Sequence, residues 1–400
     1  MSERAGPSSH EWFWHADVVQ AVSPPGVLDL GPGYLEPGLL PVDLLRDGYA
    51  RGLAEYGAAA LAYGNNAGAL PLREVLAERV SAADGVPCGP DRVLVTAGTS
   101  YALHLIATTE AVAGRAVFVD ETSYDFGRRI FTDHGLRTCE VPSDSLGMDP
   151  QALRDAIRRE LAAGREPGFT YLTPTFHNPT GRLVGTDRRR ELLAVAAEFG
   201  VLVVEDDAYA ELDLDGGPLP PSMGGLAGYR GVIRLGTFSK TIGPGLRLGW
   251  LVADPAVVDR FASRGLLVSG GSANHVTSLA VEGLIRGGEY DRHLTWLRTA
   301  LRARRDALVT AVRTHLGDRV EFEPPRGGFF AWLAFPGDAE PALLAAAGRA
   351  DVRVAAGSRF GSAPNAVRLA YSLNPPSSIT TAVSRFAAAL PVPAHQSIRS

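Results

Sequence analysis

Short apolar runs alternate with amphipathic stretches along most of this chain. Nearly continuous apolar runs at residues 93–96, 116–119, 169–172, 201–205, 232–235 and 248–252 predict buried strands. Apolar positions recur at helical spacing over 99–112, 150–163, 186–199 and 255–263. Strands this short and this uniformly apolar are covered on both faces, so the pattern predicts an α/β fold with a mainly parallel sheet. The texture changes after about residue 275: a long charged helix over 291–315 leads to strands at 329–334 and 366–370 and then a final helix. That portion reads as a smaller α+β unit. The expected division is an N-terminal segment (1–45) packing with the small unit, a large domain (46–284) and a small C-terminal domain (285–400). Residues 1–10 and 391–400 carry no such pattern and are expected to be disordered.

Composition narrows the function classes. The chain has 400 residues, 46% hydrophobic and 21% charged, with a net charge of -5. No basic stripe suits a nucleic-acid backbone. The longest apolar stretch, 192–204, is interrupted by Glu198 and Gly200, so no segment is expected to span a membrane. Two distant cysteines, Cys88 and Cys139, suit neither a disulfide framework nor a metal site, and point to a reducing cytoplasm. Lysine usage is the most informative count. Of 39 basic residues, one is lysine, Lys240, and the other 38 are arginine. Arginine stays protonated and forms no imine, whereas a lysine amine with a lowered pKa does both jobs.

The candidate chemistry clusters after the predicted strands, where ligands of open α/β sheets sit. Residues 93–96 run into Ala97-Gly98-Thr99-Ser100 and then a helix. A glycine turn with two hydroxyls at a helix N-terminus suits an anion, or simply caps the helix. The strand at 201–205 ends in Asp206-Asp207-Ala208-Tyr209, where a carboxylate could hold a proton on a pyridine nitrogen; adjacent acids are more commonly a solvated turn. Asn178-Pro179-Thr180-Gly181 is a turn former whose Asn178 amide could donate to a ring oxygen. The strongest segment, 236–249, sets Lys240 among Thr237, Ser239, glycines and Arg247, which can complete a phosphate cup. Its glycine spacing is not that of a dinucleotide fingerprint.

At these residues the chain resembles the class I/II aminotransferases of the fold-type I pyridoxal phosphate family. The likeness is to the branch with 2-aminoadipate, kynurenine and aromatic aminotransferases and the aminotransferase-like half of GntR-type regulators. The Ser-Lys-Thr segment ending in Gly-Leu-Arg-Leu-Gly, with Asn-Pro-Thr-Gly and Glu-Asp-Asp in the family's order, carries it. The resemblance implies a seventh strand in the large sheet, and pyridoxal 5'-phosphate bound as a Schiff base on Lys240, with Asp206 on the pyridine nitrogen. It implies Tyr209 and Asn178 on the ring oxygen, Tyr124 stacked on the ring, and Gly98, Thr99, Ser100, Thr237, Ser239 and Arg247 at the phosphate. It further implies a homodimer in which Tyr63 reaches the phosphate across the interface, Arg368 clamping the substrate carboxylate, and Gly33 in the segment closing over the substrate. Ser100, Ser123 and Thr237 depart from the glutamine, proline and serine frequent in relatives.

The implied activity is transfer of an amino group between an amino acid and a 2-oxo acid. Lyases, cyclases, decarboxylating and oxidative enzymes of specialised metabolism use the same constellation and stay open as the alternative. A non-catalytic sensor is disfavoured, because the chain has neither a winged-helix extension nor a basic patch. No second arginine stands out to mark a dicarboxylate substrate. The aromatic run Trp12-Phe13-Trp14 reads as packing.

Overall fold

A computed structural model describes residues 23–391, apart from 362 and 364. The Trp12-Phe13-Trp14 run and the termini expected to be disordered lie outside the described residues, save Pro391. The large sheet has seven strands in the order Val93–Thr96, Gly249–Val252, Val232–Thr237, Leu202–Asp206, Pro167–Leu172, Ala116–Asp120 and Arg137–Val141. Gly249–Val252 is antiparallel to both of its neighbours. The remaining pairs are parallel.

Alternation along each strand explains the continuous apolar runs. Val117 and Val119 join a core with Leu103, Ile106 and Phe261 on one face of the sheet. Their neighbour Phe118 joins Ile157, Leu192 and Val195 on the other. Each fully buried side chain of this size contributes roughly 1.5–3 kcal/mol. The six expected strands form close to their predicted ends, and so do the helices Thr99–Thr109, Pro150–Ala162, Thr186–Phe199 and Pro255–Ala262, the first of them stopping short of its expected end at Val112. The strand Arg137–Val141 went unread because it lies at the edge: only Val141 is buried, so no apolar run marks it.

A second, antiparallel sheet runs Glu321–Phe322, Phe330–Ala334, Ala366–Ala370 and Ala355–Ala356. Helices Glu289–His315 and Pro376–Ala389 pack on each other beside it. Leu28–Asp29 pairs in parallel with Val352–Arg353. Ala370 N–H then donates to Leu30 O (2.6 Å) and Glu36 N–H to Ser372 O (2.9 Å), which holds the Gly31–Gly33 turn over the strand ends.

Behind the sheet's carboxyl edge lies a buried ionic network. Arg234 binds Asp207 (2.6 Å) and Asp84 (2.9 Å), and Tyr229 donates to the same Asp84 oxygen (2.8 Å). Glu205 accepts from the N–H groups of Met223 (2.9 Å) and Gly224 (3.0 Å) and lies 3.4 Å from Arg189. Removing one partner of such a network strands the other charge in low dielectric. Arg234→Ala is therefore expected to lower unfolding stability by about 3–5 kcal/mol. Denaturant titration measures this, and a loss below about 1 kcal/mol would show that the network is solvated.

Candidate active site

Eight of the residues singled out from the sequence line one cavity of about 630 Å³: Gly33, Thr99, Tyr124, Asn178, Asp206, Tyr209, Lys240 and Arg368. Lys240 follows the strand Val232–Thr237, and its Nζ donates to Gly33 O at 3.0 Å. It stands 5.5 Å from the Tyr209 ring centre and 5.6 Å from that of Phe329. Burial, helped by the charges of Arg368 and Arg247 and opposed by Asp206, pushes the Lys240 amine down to about 8. Such an amine is partly free base near neutral pH.

Asp206 ends its strand buried, not in a solvated turn. Successive side chains of a strand point to opposite faces, so Glu205 and Asp207 meet the network behind the sheet while Asp206 faces the cavity. Its Oδ2 accepts from the Tyr171 hydroxyl at 2.8 Å. Its Oδ1 is buried without a hydrogen-bond partner among the described residues. Burial raises the carboxyl to about 6, while Tyr171 and Lys240 hold it lower than burial alone would.

Arg368 comes from the strand Ala366–Ala370 and is buried. Its guanidinium lies between the rings of Phe330 (4.0 Å) and Phe360 (4.5 Å). Nη1 donates to Asn178 Oδ1 (2.7 Å) and Nη2 to Gly31 O (2.6 Å), while Nε has no partner among the described residues. Burial pushes the guanidinium down to about 10. Asn178 precedes Pro179 through a cis peptide bond. At Gly33 a Cβ would stand 2.4 Å from Phe330 Cζ, so only glycine lets the N-terminal turn lie this close. Tyr124 immediately precedes the helix Asp125–Asp133, and burial raises its phenol.

The remaining candidates adjoin the cavity without lining it. Gly98 has φ 85°, and a Cβ there would meet Arg247 Nη2 at 2.9 Å. Arg247 itself has φ 47°, an uncommon conformation for a non-glycine residue, and Nη2 donates to Ala97 O at 2.9 Å. The Thr237 hydroxyl bonds Ser239 Oγ (2.9 Å) and Leu248 O (3.2 Å) and accepts from the Ser239 N–H (3.1 Å). Gly98 precedes the helix Thr99–Thr109, in which Ser100 is the second residue. These groups surround a helix N-terminus with cationic and hydroxyl donors, a fit for an anion. Tyr63 is not brought to the others within one chain: it is 88% exposed and lies beside Gly270.

Several lining residues escaped the sequence reading. Tyr171 sits on the neighbouring strand, Phe330 on the second sheet, and Asp125 directly after Tyr124. Arg353 and Arg359, which the sequence did not single out, also line the cavity, each facing a carboxylate of the chain. Only adjacency to Tyr124 could have flagged any of them.

The chain has one ε-amine, which makes its titration accessible to a direct check. In unliganded protein, acylation of Lys240 followed by peptide mass spectrometry should accelerate through a pH near 8. Below that pH the protonated amine is unreactive. Arg368→Leu should move the transition upward, towards the ordinary lysine value; a wild-type transition near that value would refute the burial argument.

Known proteins share this architecture. The aminotransferase class I and II family matches residues 46–386. The 2-aminoadipate transaminase of Thermus thermophilus is 32% identical over 383 residues, covering 94% of this chain and 92% of that protein. Among solved structures, a multiple substrate aminotransferase from Thermococcus profundus gives a TM-score of 0.86 at 28% identity, covering 92% of both chains. An alpha-aminoadipate aminotransferase from Thermus thermophilus, complexed with N-(5'-phosphopyridoxyl)-L-leucine, gives 0.80 at 32% identity and also covers 92% of both. The match runs through nearly the whole chain and includes the fold-type I α/β architecture; the protein is an aminotransferase of the class I and II family.

Proposed function

We propose that this aminotransferase holds pyridoxal 5'-phosphate on Lys240 and moves an amino group between an amino acid and a 2-oxo acid. The observation that carries the reading is the convergence on one cavity of the only lysine, a buried carboxylate with one oxygen lacking a partner among the described residues, and a buried arginine fork. The residues present fit the group. Asp206 Oδ1 needs a buried donor, which a protonated ring nitrogen supplies. The helix start at Thr99, with Gly98, Ser100, Thr237, Ser239 and Arg247, suits the phosphate.

When bound, the cofactor supplies an aldehyde for the amino group and an electron-withdrawing ring that stabilises negative charge at the substrate Cα. Every other part falls to the chain. Arg368 binds the substrate carboxylate through its planar fork, kept rigid by Asn178, Gly31 and the two phenylalanine rings. Lys240 moves the proton at Cα, a task suited to an amine held near 8. Tyr171 keeps Asp206 oriented and ionised. Tyr124 and Tyr209 bound the ring, and the Gly31–Gly33 turn keeps water from the reacting atoms.

The assembly proposed is a homodimer. Leu61 (77% exposed), Tyr63, Leu266 (61%) and Val268 (57%) leave apolar surface to be covered, and Tyr63 would then reach the partner's phosphate site. The proposed division is 1–45, 46–284 and 285–400, supported by the pairing of Leu28–Asp29 with Val352–Arg353. The two cysteines carry no disulfide, in keeping with a cytoplasmic enzyme.

Absorbance of purified holoprotein tests the reading. An amino acid donor alone should abolish the aldehyde-form band, and a 2-oxo acid should restore it. Lys240→Ala should slow that exchange by roughly 10²–10⁴-fold. Ammonia or carbon dioxide release without any oxo-acid requirement would contradict amino transfer.

A further inference from the structure

We infer that the substrate end of this cavity selects an uncharged, bulky side chain, and that Asp125 enforces this by neutralising Arg359. The inference rests on the aminotransferase reading and concerns the part of the cavity beyond Arg368. There the wall is apolar: Leu344, Ala347, Val352, Val354 and Ala355. Small residues at Ala347 and Gly348 leave room for a large substituent.

Among the described residues, the cations lining the cavity are Lys240, Arg353, Arg359 and Arg368. Lys240 and Arg368 are committed to the reacting carbon and the α-carboxylate. The other two already face carboxylates. Arg359 Nε donates to Asp125 Oδ2, and its guanidinium lies 5.1 Å from the Phe126 ring and 5.9 Å from that of Phe360. Asp125 opens the helix Asp125–Asp133, whose N-terminal dipole favours its charge, and its side chain is only 15% exposed. Arg353 Nη1 donates to Ser23 Oγ (3.0 Å) and lies 3.9 Å from Asp29 Oδ2. Asp29 is itself satisfied by Ser23 Oγ (2.6 Å) and Gly31 N–H (2.8 Å).

An acidic side chain entering this end must compete with Asp125 for Arg359, and it leaves two carboxylates together at one guanidinium. A cationic side chain must likewise compete with Arg359 and Arg353 for Asp125 and Asp29. An aromatic or long aliphatic side chain incurs neither cost and buries its surface on the apolar wall. Phe360 links the two ends: it stacks on Arg368 and also faces Arg359, so the carboxylate clamp and the side-chain filter share one element.

The test uses amine-free carboxylates on the wild-type holoenzyme, so that binding is read independently of turnover. Calorimetry should find 3-phenylpropanoate bound at least about tenfold more tightly than glutarate. Asp125→Asn should shift that ratio towards glutarate by about tenfold, and adding Arg359→Gln should remove the shift. The ratio of kcat/KM for phenylalanine and glutamate should move in parallel. A wild-type preference for glutarate, or an unchanged ratio in Asp125→Asn, would overturn the inference. Failure of every amino donor would instead sink the aminotransferase reading, while the calorimetric ratio would still report on the cavity.

Discussion

Three consecutive carboxylates at the end of a central strand, sent to alternate faces by the two-residue period of the strand, organise the whole site. Asp206 faces the cavity, and Glu205 and Asp207 face Arg189 and Arg234 behind the sheet. Three buried acids in a row could not stay together without those arginines. Burial raises Glu205 as well as Asp206, with Asp207 adding to both. The network behind the sheet therefore makes it tolerable to leave Asp206 on the cavity side with one oxygen that has no partner among the described residues.

Around Lys240 the balance is positive. Lys240, Arg368 and Arg247 share one region, and their mutual repulsion combines with burial to hold the lysine near 8. An arginine lowered only to about 10, as Arg368 is, stays protonated at neutral pH. In a chain that uses arginine 38 times, the one lysine is therefore the basic side chain that burial brings close to neutrality. The second sheet and the N-terminal turn supply Arg368, Phe330 and Gly33, so the reacting end is assembled from three separate stretches of chain.

Much of this was legible in the sequence. Continuous apolar runs marked six of the seven strands because both faces are covered, and the lysine segment announced itself by composition. The strand Arg137–Val141 stayed hidden because an edge strand has no need of apolar continuity. Asp206 was singled out, but its adjacent acids by themselves suggested a solvated turn as readily, because the counterions of Glu205 and Asp207, Arg189 and Arg234, come from other elements. Tyr171, Phe330, Asp125 and Arg359 were missed for a related reason: each matters through a partner distant in sequence or across the cavity. Residue types and local spacing reveal strand tips; contacts between elements require the fold.

The central claim is that Lys240 is the covalent anchor of the cofactor, and one chemical experiment addresses it. Borohydride reduction of the holoprotein, followed by tryptic mass mapping, should place a phosphopyridoxyl label on Lys240 within the peptide 235–247 and eliminate activity. An unlabelled Lys240 in a protein that still binds the cofactor and turns over would contradict the account.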